Sequence, residues 1–103
     1  MTAIAYTVTA SLPDKHTRDD YIAWLEDGHL DAVIKGGAHS ASIINLDRDA
    51  DTDPFRVETR YIFATRARFD DYTTHHAPKL REEGVRLFTP RGAAFSRTIG
   101  EVV

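Results

Sequence analysis

The chain has 103 residues, 42% of them hydrophobic and 28% charged, with a formal net charge of −3 and no cysteine. That balance fits one soluble globular domain over residues 1–103, with a core that needs no disulfide or metal staple. Scattered Lys and Arg argue against a nucleic-acid surface, and the missing thiols exclude a cysteine nucleophile, a zinc-thiolate site or an Fe–S cluster. No apolar run approaches the roughly 20 residues that span a bilayer, so no membrane association is expected. The first residues lack the regions of a secretory leader, and a cytoplasmic location is expected.

Residues 3–11 alternate Ile4, Tyr6 and Val8 with small residues and predict a strand. Pro13-Asp14 marks a turn. Thr17 then reads as the N-cap of a helix, with Asp19 and Asp20 in its first turn. That helix runs to about Lys35, where Gly36-Gly37 supplies a left-handed cap. Residues 39–46 predict a second strand, with Ala41, Ile43 and Asn45 on one face and Ser42, Ile44 and Leu46 on the other.

The polar stretch Asp47–Pro54 is a loop. With Glu58 it imitates a calcium-binding loop in its acidic spacing, but Thr52 stands where the glycine belongs, so it reads as a solvated hairpin loop. Residues 55–65 predict the third strand, with Phe55, Val57, Thr59, Tyr61 and Phe63 on one face. A second helix starts near Thr65 or Arg66 and is divided by Pro78. Lys79 to Phe88 continue it at an angle, Pro90-Arg91-Gly92 turns the chain, and residues 93–99 predict the last strand.

The order is strand-helix-strand, strand-helix-strand. This predicts an α+β, ferredoxin-like βαββαβ fold, a four-stranded antiparallel sheet with two helices on one face. A sheet covered on one side leaves its other face to be dealt with, and a second copy of the chain is the usual remedy, so a homodimer is expected.

Two residues interrupt the apolar helix stripes. His29 shares its helical face with Ile22, Leu25 and Val33, and His76 shares its face with Phe69, Tyr72, Thr73 and Leu80. Burying an imidazole without a partner costs free energy, so two such placements predict a polar spot between helices and sheet. Histidine suits proton transfer near neutral pH, and His29 and His76 are the candidate catalytic residues. Trp24, Tyr61 and Tyr72 are the candidate ligand-binding walls. Within the last strand, Arg97 reads as the cross-sheet partner of Glu58 rather than as the contact of an anionic ligand.

Trp24 followed by His29, Gly36 before the second strand, and Tyr72 followed by Ala77-Pro78-Lys79-Leu80-Arg81-Glu82-Glu83-Gly84 ahead of Phe88 resemble a bacterial family of small uncharacterised proteins. That family lies in the dimeric α+β barrel superfamily. The chain departs from its pattern at Asp31, where a proline is frequent, and in a longer acidic loop. The resemblance implies two ferredoxin-like subunits joined through their sheets, with pockets between helices and sheet. The wider superfamily includes cofactor-independent monooxygenases, haem-degrading enzymes, lactone isomerases and ligand-sensing domains. The expected function is small-molecule binding, with cofactor-independent proton transfer or oxygenation of an aromatic or polyketide-like compound. The alternatives are a haem-binding protein with His76 as axial ligand, and a non-catalytic dimeric module whose histidines are structural.

Overall fold

Alternating β-branched and aromatic residues build the four strands of the computed structural model, which describes residues 2–103; Met1 lies outside them. In chain order the elements are β1 (Ile4–Leu12), α1 (Lys15–Trp24), a π-helical turn (Leu25–His29), α2 (Leu30–Lys35), β2 (Ser40–Asn45) and β3 (Phe55–Phe63). There follow α3 (Arg66–His75), α4 (Ala77–Phe88), a short 3-10 turn (Thr89–Arg91) and β4 (Ala94–Glu101). The sheet order is β2-β3-β1-β4, all antiparallel. This is the α+β, ferredoxin-like βαββαβ arrangement, with each helical arm broken in two.

Three local details differ from the sequence expectation. The cap of α1 is Asp14, whose carboxylate accepts the Thr17 N–H at 2.7 Å; Thr17 itself is buried inside the first turn. Thus Asp19 and Asp20 lie beyond that turn. The first helix does not run unbroken to Lys35, because the π turn divides it. The second breaks at His76 (φ −123°, ψ −43°), one residue before α4 begins, and Pro78 is accommodated in the first turn of α4, where its missing N–H costs nothing.

Register puts Ile4, Tyr6, Val8, Ala10 and Leu12 of β1 beside Phe63, Tyr61, Thr59, Val57 and Phe55 of β3. These residues carry the helix-covered face. The core they form has two apolar clusters. One gathers Ile4, Tyr6, Val33, Tyr61, Phe63, Phe69 and Tyr72; the other gathers Ala10, Leu12, Tyr21, Leu25, Val57 and Phe88.

The opposite face carries mainly small and polar side chains. Thr7 lies between Arg60 and Thr98, and Thr9 between Glu58 and Ser96. Glu58 pairs there with Arg60 at 2.6 Å. The acidic loop is held by its own bonds: Asp53 accepts the Ala50 N–H at 3.1 Å, and Arg48 donates to the Asp51 carbonyl at 3.0 Å. No helix of the described residues is long and apolar enough to cross a membrane.

Candidate functional site

In an α-helix residues five apart lie about 140° from each other around the axis. Trp24 and His29 escape this because the chain takes in an extra residue between them. The Leu30 N–H bonds to the Leu25 carbonyl, five residues back. Asp27 (φ −90°, ψ 48°) and Gly28 (φ +111°) leave helical geometry inside this turn. The φ of Gly28 is one that side-chain-bearing residues rarely adopt, and glycine enters it freely. The widened turn lays the His29 imidazole against the Trp24 indole, with centroids 4.1 Å apart and planes 28° from parallel.

Helix α4 fixes the indole from the other side. Trp24 Nε1–H donates to the Glu83 carboxylate at 2.8 Å. A Cβ on Gly84 would stand 3.1 Å from the indole ring, so the ring takes the space that an alanine methyl would need. Glycine inside a helix costs about 1 kcal/mol relative to alanine, and here it permits that close approach.

These contacts close a cavity at the seam between the two core clusters. Its floor is the sheet: Tyr6 and Val8 of β1, Thr59 and Tyr61 of β3, Phe95 and Arg97 of β4. Tyr21, Trp24, His29 and Tyr72 form the inner wall, and Leu80, Arg81, Gly84 and Val85 of α4 form the outer one. The volume is about 50 Å³, room for a few water molecules. Arg81, Val85 and Arg97 are exposed and mark a mouth between α4 and β4.

Burial holds the His29 pKa below the ordinary histidine value by disfavouring the imidazolium; the Glu83 carboxylate pulls the other way without reversing the shift. His29 is therefore a neutral proton acceptor at pH 7. The phenols of Tyr21, Tyr61 and Tyr72 are pushed well above their usual range, first by burial and then by neighbouring tyrosines. For Tyr61 the hydrogen bond to Thr59 opposes the rise, and for Tyr72 the Arg81 and Arg97 guanidiniums oppose it. All three are neutral hydroxyls at pH 7.

Of the residues predicted from sequence, His29, Trp24, Tyr61 and Tyr72 meet on this cavity. His76 does not. The break at His76 turns its imidazole outward, where the side chain is 43% exposed and Nε2 stands 4.0 Å from Asp71. Its ring packs on Tyr72 and over Gly36, where an added Cβ would stand 3.1 Å from both side chains. Next to it lies a wide, open depression lined by Gly36, Gly37, Thr65, Ala67, Arg68 and Asp71.

Arg97 also differs from expectation. Glu58 faces the uncovered side of the sheet and pairs with Arg60, whereas Arg97, in register with Val8, faces the cavity. Sequence reasoning missed Arg81, Glu83 and Gly84 as site residues. The signal was present, since all three belong to the Ala77–Gly84 stretch that carries the family resemblance.

The residues that line this cavity do not fit a haem, because His76, its expected ligand, is not among them.

Solved structures similar to the chain share its fold. A dimeric ferredoxin-like protein from an uncultured marine organism is 18% identical, with a TM-score of 0.80, over 100% of this chain and 97% of that one. A monooxygenase of Streptomyces coelicolor, solved in complex with the ligand nanaomycin D, is 15% identical, with a TM-score of 0.73, over 99% of this chain and 88% of that one. A cofactor-independent oxygenase from Streptomyces nogalater is 6% identical, with a TM-score of 0.69, over 97% of this chain and 92% of that one. No curated protein matches the chain significantly. The family described as domain of unknown function DUF4286 matches residues 3–102, nearly the whole length. The chain belongs to that family.

Proposed function

We propose that the chain binds a small aromatic or polyketide-like compound across the open mouth of this cavity, with its reacting edge inside, and exchanges a proton with it, without a bound cofactor. The observation that carries the reading is His29: a neutral imidazole, held flat on Trp24, on the wall of a cavity whose other inner polar groups are hydroxyls. A general base needs this combination of reach and protonation state. Trp24, Tyr61 and Tyr72 wall the ligand. His76 stands outside the cavity, and the reading gives it no chemical part. A carbanion formed in this way can react further with dissolved dioxygen, one oxygen atom entering the ligand and the other leaving as water, and two of the similar folds are described as a monooxygenase and a cofactor-independent oxygenase.

The working unit in this reading is a homodimer. Similar structures are described as dimeric, and the sheet face opposite the helices is left uncovered within the subunit. A stable monomer mass by light scattering at micromolar concentration contradicts this part.

The test is solvent deuterium exchange. A panel of cyclic 1,3-diketones and hydroxynaphthalenes is incubated with the protein in deuterium oxide. Wild type accelerates exchange at an acidic C–H of at least one member, His29→Gln abolishes the acceleration, and His76→Gln keeps it. No acceleration with any member, together with no quenching of Trp24 fluorescence by any, overturns the reading.

A further inference from the structure

The charged groups that line the cavity are cationic, and no carboxylate lines it. Two guanidiniums, Arg81 and Arg97, line it from opposite sides, one on α4 and one on β4. Neither forms a hydrogen bond or ion pair with any of the described residues, whereas Arg18, Arg60, Arg66 and Arg91 each have a carboxylate partner. The guanidiniums of Arg56, Arg68 and Arg86 share that state, but none of them lines this cavity. The nearest carboxylate, Glu83, is engaged by the Trp24 N–H.

The remaining inner polar groups add no negative charge. Four tyrosines, Tyr6, Tyr21, Tyr61 and Tyr72, present phenolic hydroxyls, and His29 is uncharged. Two like charges facing one mouth repel unless an anion lies between them. The walls between these groups are apolar: Val8, Leu80, Val85 and Phe95.

From this arrangement we infer that the ligand is an organic anion, a carboxylate on an aromatic or short apolar body, with the carboxylate held at the mouth by Arg81 and Arg97. Guanidinium matches a carboxylate in its planar two-donor geometry, which favours this anion over a spherical one. The inference rests on the small-molecule reading of the cavity and adds the ligand's charge. The anionic end sits at the mouth and the body points inward, toward His29 and the tyrosines.

The experiment compares an isosteric pair, 4-hydroxybenzoate and 4-hydroxybenzamide, by calorimetry and by quenching of Trp24, the single tryptophan of the chain. The carboxylate is expected to bind at least about tenfold more tightly than the amide, as loss of a charge-assisted contact implies. Arg97→Gln and Arg81→Gln each remove that preference, while Arg97→Lys keeps part of it as a point charge. Both arginines are exposed, so the variants should fold, and circular dichroism checks this. Equal binding of acid and amide, unchanged by either substitution, overturns the anion inference and leaves the small-molecule reading standing. Binding of neither probe by wild type at millimolar concentration counts against both.

Discussion

The two helical arms begin alike and break differently. Each sets a histidine where a continuous helix would place it on the apolar face. In the first arm the break is a π turn, which adds a residue and swings His29 onto Trp24, at the cavity. In the second the break is a single non-helical residue, His76 itself, and the ring turns to the surface beside Asp71. An apolar stripe therefore locates a helix face, but the geometry of an interruption decides which polar residue enters the interior. π Turns of this kind recur at functional sites, since the extra residue re-aims a side chain that the helix would otherwise misplace.

The largest expected effect separates the first arm's anchor from its rim. Leu25, 1% exposed, begins the π turn inside the second core cluster. Leu25→Ala should destabilise the fold by about 2–5 kcal/mol. Glu26→Ala, at the next and exposed position, should stay within about 0.5 kcal/mol. Equal shifts in denaturant midpoint would show that the turn is not anchored where the structure has it.

Two glycines of the first arm sharpen the same contrast: Gly28 makes its own turn, and Gly36 makes room for the second arm's His76 and Tyr72. Gly28 has open space around it but a φ of +111°, so Gly28→Ala strains backbone alone, at about 1–3 kcal/mol. Gly36 has ordinary φ but tight neighbours, and Gly36→Ala pushes on His76 and Tyr72, at about 1–3 kcal/mol of overpacking. Pairing Gly36→Ala with His76→Ala should recover part of that cost. Pairing Gly28→Ala with the same change should recover none. Thermal denaturation of the four variants reads the outcome, and a rescue of Gly28→Ala by the distant change would contradict the division.

A smaller effect lies in pH. The folded pKa of His29 is below its unfolded value near 6.5, so the unfolded chain binds the proton more readily. Its contribution is fully present above about pH 6.5 and is lost as pH falls through the folded pKa. Glu83 faces His29 and limits the shift, while Arg81 and Arg97 are the other charged groups on the cavity. Stability should decline on acidification across this window, and His29→Gln should flatten that part of the profile. An unchanged slope would place His29 in solvent.

Much of the fold was legible in the sequence because strands have a period of two that leaves little choice. Tyr61 and Phe63 alternate with Arg60 and Ile62, and the register follows. The cavity was half legible. His29, Trp24, Tyr61 and Tyr72 carried composition signals, but their meeting depends on a five-residue turn that no periodicity announces. Helical arithmetic put His76 on the same footing as His29, and a single change of backbone angle undid it. Arg97 was misassigned because charge pairing was argued without knowing which face Glu58 takes; with the register in hand, Thr9 stands opposite Glu58 and Val8 opposite Arg97, on different sides of the sheet. Asp14 was passed over as a cap because Thr17 has the same chemistry three residues on, where the structure uses its backbone N–H instead.

The central claim is that the π turn brings His29, and not His76, into the cavity against Trp24. Trp24 is the only tryptophan, and a protonated imidazole in stacking contact quenches an indole, so its fluorescence reports the charge of the ring that touches it. A pH titration of Trp24 emission should show a transition with a midpoint below the usual histidine value. The transition should vanish in His29→Gln and persist in His76→Gln. A transition that survives His29→Gln, or that disappears with His76→Gln, would contradict the account.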